Sequence, residues 1–397
     1  MELLDRRSKS GWEAHARRPV GHPPAGARLS APESATGPEG HQMTFTAAEQ
    51  AAMRRALELA AAPGVPLGPN PRVGCVLLDE DGRTVAEGHH RGAGTAHAEA
   101  DALARAGVRA RGATAVVTLE PCNHTGRTGP CAQALIGAGV RRVVFAQPDP
   151  NPAAAGGADT LRAAGVDVES GLLHVESGLL NRFWAFGLAH GRPFVTWKFA
   201  TTLDGRSAAA DGTSRWVSSR AARLDTHRLR ARCDVMLVGT NTIEVDDPLL
   251  TVRDEHDRPL EHQPLRAVMG ERDLDPGRRV FDQRPANGAE SVHLRTRDPE
   301  KALAELAALD RQHVFLEGGP TLAAAFLKAG LVDEIVAYVA PMLLGSGRAA
   351  VGDLGIPTIA QAFRPRVTDV TVLEGLDGEQ PNVRLTLTPS EPRAEGA

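Results

Sequence analysis

The stretch that decides the chemistry and fold of the first half of the chain is His97-Ala98-Glu99, followed by Pro121-Cys122 and then by Cys131. One imidazole and two thiols are side chains that zinc prefers, and a hydrolytic zinc site keeps three protein ligands and one position for water. A nearby carboxylate can carry a proton without binding the metal. We therefore predict that the imidazole and both thiols are the metal ligands and that Glu99 is the catalytic residue.

His97 and Glu99 are two residues apart, so on a regular helix their side chains would point in roughly opposite directions. They can converge only where the chain enters a helix, and Gly94-Thr95 just before them permits such an entry. Cys131 follows Gly129-Pro130 and is predicted to begin another helix, because proline is favoured in the first turn. The positive end of that helix is expected to favour the thiolate that metal binding requires.

A closed structural zinc site is the alternative interpretation of these residues. It needs a fourth ligand, for which the candidates are His89, His90 and His124. The other two cysteines, Cys75 and Cys233, lie in or beside apolar strands and are predicted to be buried rather than bound to metal.

Composition limits the class of protein. The 397 residues suit two domains, with 42% hydrophobic and 24% charged residues. The 45 Lys and Arg nearly balance the 49 Asp and Glu, so we expect a small-molecule substrate and no nucleic-acid or membrane partner. Four cysteines are too few for a disulfide framework, which favours a reducing cytoplasm.

Domain organisation follows from the pattern of apolar residues. Residues 1–42 are rich in Pro, Gly and Ser and are predicted to be a disordered extension, with Met43 as an alternative translation start. The first folded domain is predicted at 43–189 and the second at 190–389, before a disordered tail at 390–397.

Apolar periodicity predicts a helix after Met43, with Met53 and Ala60 on one face. In the first domain the predicted strands are 72–78, 84–88, 114–119, 142–146 and 166–168, and the predicted helices are near 97–106, 131–138 and 161–164. In the second domain the predicted strands are 194–199, 235–238, 265–269, 292–294, 314–317, 334–339, 370–373 and 383–387, and the predicted helices are near 220–232, 299–309 and 321–329. Strands separated by helices indicate two α/β domains.

Several longer motifs carry a resemblance to a known family. In the first domain they are Pro69–Val73 (PNPRV), Thr118–Cys131 (TLEPCNHTGRTGPC) and Asp149–Pro152 (DPNP). In the second domain they are Trp197–Arg206 (WKFATTLDGR), Gly212–Trp216 (GTSRW), Asp246–Arg253 (DDPLLTVR), Leu316–Leu322 (LEGGPTL) and Ala340–Gly345 (APMLLG). In this order, from about residue 43 to residue 387, the sequence resembles the bifunctional deaminase–reductase family of riboflavin biosynthesis.

The spacing of the two cysteines is unusual for a deaminase, and the departures from the family's own pattern are small. Eight residues separate the two cysteine ligands, where base and nucleoside deaminases have two. Asn123 and Gly129 stand where many family members have Ser and Pro, and neither change removes a ligand.

The resemblance implies a cytidine-deaminase-like layered α/β domain followed by a dihydrofolate-reductase-like α/β domain. It implies zinc-dependent hydrolytic deamination of 2,5-diamino-6-ribosylamino-4(3H)-pyrimidinone 5′-phosphate, with Glu99 moving the proton. NADPH would then reduce the ribosyl side chain to ribityl, giving 5-amino-6-(5-phosphoribitylamino)uracil. The expected protein is a homo-oligomer in the cytoplasm.

In the first domain the resemblance implies substrate contacts from Asn70, His90, His124 and Arg127. His124 and Arg127 lie in the loop between the two cysteines, where cationic groups suit a 5′-phosphate. The alternatives are ordinary turn chemistry for Asn70 and a solvated loop position for His90.

In the second domain the resemblance implies a set of cofactor contacts and a set of substrate contacts. The cofactor residues are Ala200, Trp216, Thr242, Asp246, Gly319, Pro320, Thr321 and Leu322. The substrate residues are Ser214, Arg230, Leu250, Arg253 and Glu317, to which we add Lys198 because a charge on the first strand of a domain is uncommon. A core aromatic is the alternative for Trp216, and a solvated surface charge is the alternative for either Arg.

Three other functions compete with this hypothesis. A nucleic-acid base deaminase would need basic patches and exposed aromatic residues, yet the chain has four Trp, one Tyr and ten Phe and a near-neutral balance. A zinc-stabilised binding module would leave Glu99 without a role. A family member with one inactive half is the third, and both sets of family-matching residues are intact here.

Deletion of residues 1–42 is expected to leave both activities unchanged, because this segment lacks the apolar residues needed to form a core. Deamination and cofactor oxidation of the shortened and full chains can be compared side by side. Loss of folding on deletion would contradict the predicted disorder.

Overall fold

The computed structural model describes residues 45–124, 129–282, 290–376 and 378–389. The predicted extension at 1–42 and tail at 390–397 lie outside these residues. Within the described ranges, no helix combines the length and apolar character needed to cross a bilayer.

The α-helices are α1 (Ala47–Ala60), α2 (Ala98–Ala106), α3 (Cys131–Gly137), α4 (Gly157–Ala163), α5 (His174–Leu180), α6 (Arg182–His190), α7 (Arg220–Arg230), α8 (Thr240–Asp246), α9 (Pro299–Ala308) and α10 (Pro320–Lys328). Short 3-10 helices occur at Gly107–Ala110, Arg279–Phe281 and Ile359–Gln361.

The strands are β1 (Gly74–Leu78), β2 (Thr84–His89), β3 (Thr114–Val117), β4 (Arg142–Phe145), β5 (Asp167–Ser170), β6 (Phe194–Thr202), β7 (Arg206–Ala208), β8 (Val235–Gly239), β9 (Leu265–Met269), β10 (Ser291–Leu294), β11 (His313–Leu316), β12 (Glu334–Ala340), β13 (Arg348–Ala349), β14 (Arg366–Leu373) and β15 (Asn382–Thr388). β7 and β13 form a separate two-stranded sheet.

The first sheet has the strand order β2-β1-β3-β4-β5. β1 runs antiparallel to β2 and β3, whereas β3, β4 and β5 are parallel. Along β1, Cys75 and Leu77 pack into one apolar cluster and Val76 and Leu78 into another. This alternation shows that both faces of the strand are covered, which explains why it reads as a continuous apolar run.

Helices cover the two faces of the first sheet unequally. Helix α1 packs on one face, and α2, α3 and α4 pack on the other. Helix α1 begins with a capping box, in which Thr46 and Glu49 each accept a hydrogen bond from the other's backbone N–H. Two of the helices on the second face carry predicted metal ligands at their starts, His97 before α2 and Cys131 at the first residue of α3, and Cys122 lies between β3 and α3.

The second sheet has the strand order β10-β9-β8-β11-β6-β12-β15-β14. Its first six strands are parallel, and β15 and β14 complete it as antiparallel strands. Val235 and Leu237 of β8 pack into one cluster, and Met236 and Val238 pack into the cluster on the opposite face. The carboxyl ends of the parallel strands meet at one edge, where α/β sheets place their ligands.

The sequence predicted most of these elements within a few residues and missed others. The predicted strands and helices all correspond to observed elements. It did not predict α5, α6, α8, β7 or β13. The predicted boundary between 189 and 190 falls in the last turn of α6 and stays a prediction.

Gly88 of β2 sets how closely α2 approaches the sheet. A Cβ atom at this position would lie 2.3 Å from the carbonyl oxygen of Ala98 and 2.4 Å from the backbone nitrogen of Ala102. Both obstacles are backbone atoms, which cannot rotate away. The start of α2, and with it the predicted ligand His97, therefore depends on glycine at Gly88.

The Gly88→Ala variant is expected to lower the free energy of unfolding by about 1–3 kcal/mol, because the added methyl group overpacks the sheet–helix contact. Urea denaturation followed by circular dichroism measures this change. Gly137→Ala in α3 is the matched control: its added Cβ would have open space, and alanine favours the helix, so stability should stay level or rise by up to about 1 kcal/mol. Equal stability of the two variants would contradict the close approach.

Candidate active sites

The first site forms where the backbone changes conformation between His97 and Ala98. His97 is the N-cap of α2, with extended backbone angles of φ −66° and ψ 159°, and the helix begins at the next residue. Glu99 is therefore in the first turn while His97 is still outside the helix. This confirms the predicted helix entry and brings both side chains to one cavity.

Three predicted ligands converge there. His97 Nδ1 lies 3.5 Å from Cys122 Sγ and 3.4 Å from Cys131 Sγ. In the described part of the chain, these three residues are the group of His, Cys, Asp or Glu side chains whose ligand atoms lie within 4.8 Å of one another. Three ligands are the number of an open catalytic site rather than of a closed structural one. Residues of this type and spacing fit zinc.

The pKa values of the two thiols are shifted in opposite directions. Hydrogen bonds from Cys131 and His97 lower the pKa of Cys122 to about 4. The hydrogen bond to Cys122 and burial raise the pKa of Cys131 well above its usual value, although Cys131 begins α3 as predicted. The neighbouring thiol of Cys122 is the larger cause of this rise in pKa.

Glu99 is buried beside this group. Its side chain is 3% exposed, and burial raises its pKa to about 7. A carboxyl group with this pKa can both accept and release a proton near neutral pH. The structure therefore gives Glu99 the properties expected of a proton carrier.

The adjoining cavity has a volume of about 180 Å³ and is lined by Asn70 and His90 as well as by Glu99. Asn70 Nδ2 lies 3.0 Å from His90 Nε2, and His90 Nδ1 lies 3.0 Å from the carbonyl oxygen of Ala96. Since a carbonyl accepts, Nδ1 carries the proton and Nε2 accepts from the amide of Asn70. His90 is 4% exposed, so the solvated alternative was wrong.

His124 also lines the cavity and is exposed, whereas Arg127 lies outside the described residues. Asp149 and Asn151 line the same wall, and burial raises the pKa of Asp149. Sequence reasoning noted the DPNP motif but assigned these two residues no role. Trp184, from the unpredicted α6, is a further wall residue.

Glu120 connects this wall of the cavity to the loop that carries the predicted ligand Cys122. Its carboxylate accepts hydrogen bonds from the backbone N–H groups of Asp149, Gly156 and Ala158 at 2.9–3.2 Å, and it is 8% exposed. Sequence reasoning assigned no role to this carboxylate either. Its place two residues before Cys122 was the available signal.

The second site lies at the carboxyl edge of the larger sheet. Arg230 donates from Nε and Nη2 to the two carboxylate oxygens of Glu317, at 2.5 and 2.7 Å, and Lys198 Nζ lies 3.8 Å from Glu317. Burial alone would raise the pKa of Glu317, but the two cations lower it to about 2. Burial lowers the pKa of Lys198. The three predicted residues thus form one buried ionic cluster, and the solvated alternative for Arg230 was wrong.

Arg253 lies on the loop that follows α8. Its guanidinium donates to Thr251 and Asp257, and its Nη2 has no hydrogen-bond partner among the described residues. Its backbone N–H donates to Nδ1 of His227, 3.1 Å away on α7. Leu250, on the same loop, is buried with a positive φ of 51°, a conformation that leucine rarely adopts.

Five of the predicted cofactor residues lie at the same edge of the sheet. Gly319 is the N-cap of α10, with no side chain capping the helix, and a Cβ there would have nothing within 4 Å. Open backbone at a helix start suits phosphate groups. Pro320, Thr321 and Leu322 form the first turn, and Ala200 is on β6.

The other predicted residues of the second domain lie on α8 and on the loop before α7. Thr242 and Asp246 are on α8, which follows β8 at the carboxyl edge. Ser214 lies on an exposed loop, as does Trp216, which is 63% exposed, with the guanidinium of Arg223 4.4 Å from its ring. Trp216 is therefore not a core aromatic.

Comparisons with known proteins place both halves of the chain. Residues 46–147 match the cytidine and deoxycytidylate deaminase zinc-binding region, and residues 193–376 match the RibD C-terminal domain. The chain is 52% identical over 298 residues to the riboflavin biosynthesis protein RibD of Mycobacterium tuberculosis strain H37Rv, covering 75% of this chain and 86% of the relative. It is 41% identical over 344 residues to RibD of Escherichia coli K12, covering 78% and 92%.

Solved structures give the same result. RibD of Acinetobacter baumannii superimposes with a TM-score of 0.74 at 37% identity, covering 86% of this chain and 99% of that one. A diaminohydroxyphosphoribosylaminopyrimidine deaminase/5-amino-6-(5-phosphoribosylamino)uracil reductase from Thermotoga maritima superimposes with a TM-score of 0.71 at 30% identity, covering 86% and 99%. With both domains and nearly the full length of its relatives matched, this chain belongs to the RibD family, the bifunctional deaminase–reductases of riboflavin biosynthesis.

Proposed function

We propose that the first site hydrolyses the 2-amino group of the diaminopyrimidinone ribosylamino 5′-phosphate and that the second site reduces the ribosyl group of the product with NADPH. The observation that carries the first step is the three-ligand group His97, Cys122 and Cys131 beside a buried carboxyl group, Glu99. The two domains at 43–189 and 190–389 would each hold one site.

Zinc held by His97, Cys122 and Cys131 would supply a water made acidic enough to be a nucleophile near neutral pH. Glu99 would take the water proton and return it to the departing ammonia. Its burial beside the three ligands places the carboxyl group where it could accept and release that proton. This residue is the proposed catalytic group.

Recognition of the pyrimidine is assigned to the opposite wall of the cavity. His90 holds the Asn70 amide by accepting from Nδ2, which directs the amide oxygen toward the donors of an aminopyrimidine. His124, with Arg127 from the loop between the cysteines, would meet the 5′-phosphate. A phosphorylated substrate gives a reason for the eight-residue spacing.

In the second site a nicotinamide cofactor would supply the hydride. Its phosphates would meet the open start of α10 at Gly319–Leu322, and Ala200, Trp216, Thr242 and Asp246 would contact the rest of the cofactor. The choice of NADPH follows the family resemblance.

Because the Nη2 of Arg253 has no hydrogen-bond partner in the described part of the chain, Arg253 is the proposed phosphate partner, with Ser214 and Leu250 beside the substrate. Arg230 is already bound by both oxygens of Glu317, so we assign it to fixing that carboxylate. Lys198, whose Nζ lies 3.8 Å from Glu317, would donate the proton that the ring oxygen of the ribosyl group needs when hydride adds to the anomeric carbon and the ring opens.

Incubation of the purified chain with the diaminopyrimidinone nucleotide, followed by mass spectrometry, tests the whole proposal. Without cofactor the product should show replacement of NH2 by OH. With NADPH it should also gain two hydrogen atoms. In the reaction that contains NADPH, either mass change appearing without the other would remove one half of the proposal.

The Glu99→Gln variant is expected to keep zinc and to lose about 100-fold or more of the deamination rate, because glutamine matches the shape but carries no proton. Zinc content by plasma emission and ammonia release are the measurements. Glu176→Gln on the exposed face of α5 is the matched control and should retain full rate. Undiminished turnover in the Glu99 variant would refute the proton-carrier role.

The Arg253→Ala variant is expected to raise the KM of the reductase step by about 10- to 100-fold, the cost of losing a charged hydrogen bond to phosphate. Deamination should change by less than about twofold. Arg258→Ala is the control, because Arg258 also pairs with a nearby carboxylate, Asp254, but is exposed. Equal losses in both reactions would show that the sites are not separable.

A further inference from the structure

Helices α5 and α6 were not predicted from the sequence. The start of α6 contacts both the domain of the first site and the domain of the second site. Four consecutive residues at the start of α6, Asn181–Trp184 (NRFW), divide their contacts between the Pro69–Val73 loop and the second sheet. We propose that this tetrapeptide is a positioning element for Asn70 and takes its own position from the second sheet. The inference rests on the proposed contact of Asn70 with the pyrimidine.

Asn181 and Trp184 hold the loop that carries Asn70. The backbone N–H of Arg72 donates to Asn181 Oδ1 at 2.8 Å, and Asn181 Nδ2 donates to the Arg72 carbonyl at 2.9 Å. Trp184 Nε1 donates to the Pro69 carbonyl at 3.1 Å. Asn181 is 2% and Trp184 5% exposed, so these bonds are shielded from water. They fix the backbone on both sides of Asn70.

Arg182 and Phe183 bind the second sheet instead. The guanidinium of Arg182 donates to both carboxylate oxygens of Glu334 at 3.1 and 3.2 Å. The ring of Phe183 stacks on His313 at 3.7 Å between centroids and meets Phe194 edge-on at 5.2 Å. These three partners begin β12, β11 and β6, so the contacts lie at the amino edge of the sheet.

Helix geometry accounts for the division. Residues three apart, such as Asn181 and Trp184, lie on the same side of a helical turn, while the two residues between them point elsewhere. A shift of Arg182 or Phe183 must therefore move the Trp184 indole, because they share one turn of backbone. In this way the second sheet stabilises the wall of the first site without contributing a residue to it.

The full-length variants Trp184→Phe and Asn181→Ala test the first part. Each should raise the KM for deamination of the diaminopyrimidinone nucleotide about three- to tenfold, the range for one or two lost hydrogen bonds. The kcat should change by less than about twofold, because Glu99 and the ligands are untouched. Zinc content, and reduction of separately supplied deaminated nucleotide, should be unchanged.

Arg182→Met tests the dependence on the second sheet. It removes the pair with Glu334 and keeps an apolar stem, and it should raise the KM of deamination about two- to fivefold. Arg295→Met is the matched control, because Arg295 pairs with the exposed Asp273 on the same domain. The control should leave deamination unchanged.

Hydrogen exchange gives a readout without turnover. The peptide 69–73 has three backbone amides, because two of its five residues are prolines, and one of the three is the Arg72 N–H that donates to Asn181. That amide should exchange faster in Asn181→Ala. Unchanged exchange with unchanged KM would overturn the inference, and so would joint loss of zinc and both activities in Trp184→Phe.

Asn70→Ala separates this inference from the proposed function. A raised KM in Asn70→Ala with none in the three helix variants would overturn the positioning role and leave the proposed function intact. An unchanged KM in Asn70→Ala would instead remove the pyrimidine contact on which the inference rests.

Discussion

The first site depends on one change of backbone conformation, from extended at His97 to helical at Ala98. If α2 began one turn earlier, the imidazole and the Glu99 carboxyl would face opposite sides of the helix. The start of the helix is in turn fixed by its close approach to Gly88. The position of the proposed metal ligand relative to the proposed proton carrier is thus set by packing between a helix and a sheet.

The two sites treat a buried carboxyl group in opposite ways. At Glu99 burial outweighs the attraction of the nearby His97, and the pKa rises to about 7. Glu317 is buried between Arg230 and Lys198, and its pKa falls to about 2. The first arrangement suits a group that exchanges protons, and the second suits a fixed negative charge. The same residue type therefore suits two different tasks, because the charges that surround it differ between the two sites.

Much of this could be predicted from the sequence, because the decisive signals are local. The residue types that bind zinc can be identified directly in the sequence. The start of α9 is marked by Asp298, which caps the helix, and by Pro299, which begins it. Helices α5 and α8 have only seven residues and no side-chain cap, so nothing in the sequence marks their starts. Because α5 was not predicted, the start of α6 directly after it was not recognised. Trp184 was therefore missed as a wall residue.

Pairings over long separations explain the rest of what the sequence could not predict. Arg230 and Glu317 are 87 positions apart, and each alone suggests a substrate contact. Their bidentate bond changes the interpretation of both, because a guanidinium held by a carboxylate has fewer donors left for phosphate. Arg253 retains such a donor, and its backbone is bound to His227 on the helix that also carries Arg230. The cluster therefore orders the two arginines relative to one another, with one fixing the carboxylate and the other left open to an anion.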